Sequence, residues 1–136
     1  MNPWQERNEG VIKEFRSNGG QVEGWAPLIL LTTTGAKTGQ QRIIPLMYVP
    51  DGDRILAVAS KGGNPKHPEW YLNILAHPEV TVEVGTEKFN TTAKVLTGAE
   101  REKAFARAAD VFPPYAEYQK KTSREIPIIA LERPTK

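Results

Sequence analysis

Residues 27–34, Pro-Leu-Ile-Leu-Leu-Thr-Thr-Thr, form an unbroken apolar and β-branched run that stops at Gly35. Such a run reads as a strand buried on both of its faces, so the rest of the chain has to supply what covers it. Gln41 to Val49 reads as a second strand, and Pro50-Asp51-Gly52-Asp53 as the turn into a third, Arg54 to Ser60. These three suggest a meander of antiparallel strands. Val80, Val82 and Val84 alternate with polar residues, Gly85 begins a turn, and Phe89 to Leu96 alternates again, giving a second hairpin. Ile126 to Arg133 closes the chain as a last strand.

Helical spacing appears between these runs. Trp4, Val11, Ile12 and Phe15 mark an amphipathic helix that Asn18-Gly19-Gly20 stops, and a flexible connector follows. Trp70, Leu72, Ile74 and Leu75, bounded by Pro68 and by His77-Pro78, fit a helix of about ten residues. From Thr97, a suitable N-cap, acids in the first turn and Ala/Phe spacing predict a longer helix that Pro113-Pro114 breaks. Residues 115–123 read as a further short turn of helix. About six strands with three or four helices make an α+β domain, and a small closed or partly closed barrel would remove the edges of its sheet.

At 136 residues, 39% apolar and 25% charged, the chain is expected to form one core and bury roughly two-thirds of its unfolded surface. No apolar run approaches the ~20 residues of a membrane span, so no transmembrane segment is expected. With no cysteine there is no disulfide, thiolate zinc site or cysteine nucleophile. The first residues lack the basic-then-apolar order of a secretory signal, and a cytoplasmic location is the expectation. Eighteen bases against 16 acids leave +2, too little to imply nucleic-acid binding. The distribution says more: between Gly35 and Lys66 five bases face two acids, whereas residues 67–136 hold ten of each.

That basic segment contains two glycine loops. In Gly35-Ala36-Lys37-Thr38-Gly39 the glycines permit positive φ, and Lys37 and Arg42 supply charge-assisted donors for a phosphate or carboxylate. It is not a Walker motif, which needs four residues between its first glycine and Gly-Lys-Ser/Thr and then a helix. The plainer reading is a solvated hairpin tip. Ser60-Lys61-Gly62-Gly63 is a second such loop, open to the same two readings. His67 and His77 are the only histidines, and with no cysteine a metal site finds no support. Nor is there a Gly-x-Ser-x-Gly elbow. Trp70 and Tyr71 suit the core or a pocket wall. Phe112, Tyr115 and Tyr118, three apart, would share one helix face and either shape a pocket for an aromatic ligand or cover the barrel.

Taken together, LLTTTGAKTGQQRIIPLMYV, ILAVASKGG, HPEWYLNILAHPEVTVEV and FPPYAEYQKKTSREIPIIALERP resemble, in that order, the deazaflavin-dependent nitroreductase family, from about Pro27 to Pro134. The resemblance implies a split β-barrel of about six mainly antiparallel strands with flanking helices, residues 27–136, preceded by a helix and connector over residues 1–26. It implies reduced coenzyme F420 as cofactor, with FMN the alternative. The cofactor's phosphate and acidic tail would lie on Lys37, Thr38, Arg42 and Lys61, with Ala36 also among the cofactor-binding residues. Its ring would lie against Ile43, Ile44, Pro45, Leu46, Met47, Val58, Ala59 and Ser60, closed by Trp70, Tyr71 and Asn73 and covered by Tyr115.

Hydride would then pass from the reduced ring to an electron-poor small molecule: an enone, unsaturated lactone, quinone or nitroaromatic. Ser60 and Tyr115 are the candidates to hydrogen-bond the acceptor oxygen, in a pocket shaped by Phe112, Tyr115 and Tyr118, with the final proton from Tyr115 or water. Phe112 stands where relatives can carry a tyrosine, which leaves nitroimidazole reduction open. The rival readings are an FMN- or haem-binding protein of the same barrel type and a non-catalytic F420 carrier. No nucleic-acid partner is expected; the chain would be a monomer or homodimer, and its N-terminal helix would dock on the barrel, mediate a dimer or touch a membrane surface.

Overall fold

A computed structural model of the chain describes the backbone of residues 3–25 and 27–134, and side chains from residue 8 onward within that span. Helix α1 (Pro3–Ser17) precedes strands β1 (Leu28–Thr34), β2 (Gln41–Met47), β3 (Val49–Asp51) and β4 (Arg54–Val58). Helix α2 (Glu69–Ala76) leads to β5 (Glu79–Val84), β6 (Glu87–Thr92) and β7 (Lys94–Val95). Helices α3 (Gly98–Val111) and α4 (Pro114–Lys121) come before β8 (Ile128–Glu132). The predicted α+β split barrel is what the chain forms, with two differences in how the strands connect.

The strands make two antiparallel sheets, in the orders β2-β1-β5-β6 and β3-β4-β8-β7. Each of two predicted strands is cut by a single residue: Tyr48 separates β2 from β3, and Ala93 separates β6 from β7. At both corners the chain leaves one sheet and enters the other, as strands do at the corners of a closed β-structure. Six expected strands therefore become eight. The expected meander is interrupted too, because β4 pairs with β3 and β8 and not with β2.

Alternation along the strands divides the protein into layers. Ile29 and Leu31 of β1 and Val80 and Val82 of β5 face Ile55 and Ala57 of β4 and Ile129 and Leu131 of β8 across the barrel interior. Leu28 and Leu30, on the opposite face of β1, are covered by Val11 and Phe15 of α1 together with Val22. Both faces of β1 are thus buried, as its composition requires. Burying Phe15 contributes about 1.5–3 kcal/mol, and α1 is also held by Arg16, which donates two hydrogen bonds to Glu83 at 3.1 and 2.9 Å. The side chain of Trp4 lies outside the described residues. On the far side, Leu56, Ile128 and Ala130 pack under Ala104 and Ala108 of α3 and Tyr115 of α4. Trp70 and Ile74 of α2 enter the interior core. Thr97 holds the N-cap position of α3 with extended backbone, but its hydroxyl makes no capping hydrogen bond. Among the described residues no helix is long and apolar enough to cross a membrane.

Candidate active site

The hairpin tip between β1 and β2 is a braced loop. The Gly35 amide donates to the Gln40 carbonyl at 2.7 Å and the Gly39 amide to the Gly35 carbonyl at 2.9 Å, while Thr38 Oγ1 accepts from the Gln40 amide at 3.2 Å. Gly39 has φ +73°, which a β-carbon would strain. A β-carbon on Gly35 would lie 2.7 Å from Thr38 Oγ1, so the threonine folds back over its own loop. Asn73 of α2 pins the assembly from outside: its Oδ1 accepts from the Ala36 amide at 3.0 Å, and its Nδ2 donates to Thr33 Oγ1 at 3.1 Å. The Ala36 amide is therefore already engaged, and the Thr38 hydroxyl, whose oxygen accepts from Gln40, still has its proton to offer an anion.

Lys37 and Arg42 stand exposed on this scaffold. The ion pairs of the described residues engage Arg16, Arg54, Lys94, Arg101, Arg107, Lys120 and Arg133, and none involves Lys37, Arg42 or Lys61. Register places Arg42 opposite Thr33. By alternation Arg42 shares its face with Ile44 and Leu46, which pack on the barrel interior. Ile43, Pro45 and Met47 point the other way, toward the α1 side. Of the five nominated ring-binding residues on β2, only Ile44 and Leu46 aim side chains at the interior face; the other three have only backbone there. That backbone lies on an edge strand of its sheet.

The second loop is held more tightly. Lys61, Gly62 and Gly63 all have positive φ, at 47°, 64° and 83°, and Lys61 is the one non-glycine residue with positive φ among those described. A left-handed lysine costs about 1–2 kcal/mol, so the surroundings must enforce it. The Gly63 amide closes the turn onto the Ser60 carbonyl at 2.9 Å. Gly63 lies directly under α4, where a β-carbon would fall 2.8 Å from the Tyr118 carbonyl oxygen.

Arg124, in the connector between α4 and β8, does most of the holding and escaped the sequence reading. Its Nε donates to the Asn64 carbonyl at 2.8 Å, Nη2 to the Ser60 carbonyl at 2.8 Å, and Nη1 to the Ala59 carbonyl at 3.2 Å. Nη1 also meets His67 Nδ1 at 3.1 Å. His67 is tilted against Tyr71 with ring centroids 4.8 Å apart. Burial, then the neighbouring Arg124 charge, lower the His67 pKa, which keeps the ring neutral and able to accept. The only signal in the sequence was an arginine in the Thr122-Ser123-Arg124-Glu125 turn, and the even charge balance of residues 67–136 concealed it.

Phe112, Tyr115 and Tyr118 do share one face, with centroids 4.9 Å apart for the first pair and 6.2 Å for the second. Tyr115 is 5% exposed and packs with Val58 against the outer face of β4. Burial, with a smaller contribution from Tyr118, pushes its phenol up to about 12. Trp70 is equally buried but belongs to the interior core, with Ala57 on the other face of β4 and Ala59 just past its end. The nominated residues therefore fall on two sides of that strand and can meet only around its end, at Ser60 and Lys61. Ser60 is buried and Lys61 exposed there. Among the described residues no group of three or more His, Asp or Glu could hold a metal ion.

This arrangement suits an anionic ligand with a flat apolar part. Free cations sit on two braced loops, the first tied to α2 by Asn73 and the second to α4 and its connector by Arg124, next to apolar side chains at the barrel wall. The model of the F420H(2)-dependent quinone reductase family matches residues 5–133. An F420H(2)-dependent quinone reductase of Mycobacterium tuberculosis is 42% identical over 145 residues, covering 96% of each chain. The solved F420-H2 dependent reductase FDR-A is 47% identical, with a TM-score of 0.73 over 82% of this chain and 100% of that one. A solved chain described as a domain-swapped dimer is 41% identical, with a TM-score of 0.73 over 96% and 100%. The chain belongs to the F420H(2)-dependent quinone reductase family.

Proposed function

We propose that the two basic loops and the end of β4 form one site in which this enzyme passes hydride from reduced coenzyme F420 to quinone-type acceptors. The family supplies the oxidoreductase activity, the cofactor and the acceptor class. The residue roles are our reading of the geometry. One observation carries it: Lys37 and Arg42 stand without ion-pair partners among the described residues, on a hairpin that Asn73 holds rigid.

When bound, the reduced deazaflavin is the hydride donor. Lys37, Arg42 and Lys61 hold its phosphate and carboxylates, with the Thr38 hydroxyl as a further donor. Ile44 and Leu46 offer side chains to the ring, and Ile43, Pro45 and Met47 offer the backbone of the β2 edge. Ser60 and Tyr115 donate to the acceptor oxygen as charge develops on it, and Phe112 and Tyr118 shape the space beside it. With a pKa raised to about 12, Tyr115 is a weaker acid than an ordinary phenol near 10.0. It therefore donates a hydrogen bond and keeps its proton, which leaves water to complete the hydroquinone. A homodimer is the assembly we favour, because a relative 41% identical is described as a domain-swapped dimer. We read residues 27–136 as the cofactor-binding barrel and residues 1–26 as an accessory segment. We place the protein in the cytoplasm. Membrane contact through the apolar face of α1 would require Val11 and Phe15 to leave sheet positions they now bury.

Titrating the purified protein with F420 and with FMN, then adding menadione to the reduced complex, tests the reading. F420 binding followed by reoxidation is expected. FMN binding without F420 binding overturns it, and F420 binding without turnover makes the chain a carrier. Tyr115→Phe should keep the packing and lower kcat/KM for menadione about 10–100-fold, the value of one hydrogen bond to developing charge.

The same variant has a stability signature. Because the folded pKa of Tyr115 lies near 12, above its ordinary 10.0, the fold favours the protonated phenol. Its contribution is complete below pH 10 and declines as pH rises through 12, by about 2–3 kcal/mol in all. Denaturant midpoints across that range should fall less steeply for Tyr115→Phe than for wild type; parallel curves would show that the hydroxyl is solvated.

A further inference from the structure

We propose that Arg124 is the positioning residue of the Lys61–Gly63 loop, and that it sets the place from which Lys61 meets the anionic part of F420. The proposal rests on the functional reading above. Its starting point is an arginine without a carboxylate partner among the described residues, whose donors go instead to three backbone carbonyls and one imidazole nitrogen. The carbonyls belong to Ala59, Ser60 and Asn64, which bracket Lys61, Gly62 and Gly63 on both sides. One planar fork therefore fixes both ends of a three-residue left-handed turn. A lysine ammonium, a point charge on a flexible stem, cannot span those acceptors.

The fork is itself held in place. Gln119 of α4 donates through Nε2 to the Arg124 carbonyl at 2.8 Å, and its Oε1 accepts from the Ile126 amide at 2.9 Å and from Arg101 Nη2 at 3.0 Å. Arg101 is buried and donates also to the Ile126 carbonyl at 2.7 Å. A chain of hydrogen bonds thus runs from α3 through α4 and the connector to the loop. It ends beside Lys61, whose left-handed backbone is unfavourable by itself. Without the fork the loop keeps the Gly63–Ser60 and Asn64–Lys61 backbone bonds, 2.9 and 3.1 Å, and the packing of Gly63 under α4, but loses the one group that donates to both of its ends. Ordering it would then be charged to cofactor binding, which lowers affinity without removing any contact to the ligand.

Arg124→Gln and Arg124→Lys test the idea by three measurements. Hydrogen exchange on the cofactor-free protein should show faster exchange at Lys61 to Asn64 in both variants, with β1 amides unchanged as evidence of an intact fold. F420 affinity should fall about tenfold in both, the lysine failing to rescue because geometry and not charge is lost. In a double-mutant cycle, Lys61→Ala should weaken F420 binding about tenfold in wild type and less than about threefold in the Arg124→Gln background. Unchanged exchange at residues 61–64 overturns the proposal on the protein alone. Rescue by lysine, unchanged F420 affinity, or an additive cycle overturns the link to Lys61 and the cofactor. Failure of wild type to bind F420 overturns the functional reading instead, and is recognised separately because the exchange measurement contains no cofactor.

Discussion

Gly63→Ala is expected to destabilise the protein by about 2–4 kcal/mol, whereas Gly62→Ala, one residue earlier, costs about 1 kcal/mol. Both glycines have positive φ, +64° at Gly62 and +83° at Gly63, so both substitutions meet the strain of a left-handed L-residue. What separates them is space. A β-carbon on Gly62 meets nothing within 4 Å, while on Gly63 it falls 2.8 Å from the Tyr118 carbonyl oxygen, 3.1 Å from Tyr118 Cα and 3.1 Å from Lys121 Cβ. Two of those atoms are helix backbone and cannot rotate aside, so α4 or the loop has to shift. Since α4 carries Tyr115 and Tyr118 and the loop carries Lys61, the shift should also weaken F420 binding. Urea midpoints for the two variants measure the difference, and equal midpoints would mean that α4 does not rest on Gly63.

How far the chain could be read without its structure depends on the range of each interaction. β1 was legible because burial on both faces leaves an unbroken apolar run, which requires nothing from distant residues. The barrel corners at Tyr48 and Ala93 were not. A one-residue change of sheet hardly disturbs the period-2 pattern, so β2–β3 and β6–β7 each read as one strand. Lys37, Arg42 and Lys61 were legible as a local excess of charge beside glycines. Their supports were hidden, because Asn73 lies 37 residues from Ala36 and Arg124 lies 64 from Ser60. The face of a side chain was readable only once register was known: alternation turns Ile43, Pro45 and Met47 away from the interior and leaves Ile44 and Leu46 toward it. Trp70 shows the same limit, since an apolar residue at helical spacing looks alike whether it lines a pocket or fills a core.

Removing both hairpin cations should have the largest effect on cofactor binding. Lys37→Ala and Arg42→Ala are each expected to weaken F420 binding by about 1–3 kcal/mol, the loss of one charge-assisted hydrogen bond. One of the two residues lies in the turn and the other in β2, so they can engage different oxygens and their losses should nearly add. The double variant would then bind about 30- to 10⁴-fold more weakly. Salt distinguishes this from a folding defect. Exposed charges are screened over about 10 Å at 0.1 M ionic strength, so wild-type affinity should fall as salt rises and the double variant's should fall much less. Melting temperature should hardly move, because among the described residues neither side chain makes an ion pair that the substitution could break. Lys13→Ala, which removes one charge on α1 as either single variant does on the hairpin, should leave both affinity and its salt dependence as in wild type. Affinity in the double variant within twofold of wild type would reduce the loop to a solvated hairpin tip and send the search for the F420 tail site to Lys61 and its neighbours.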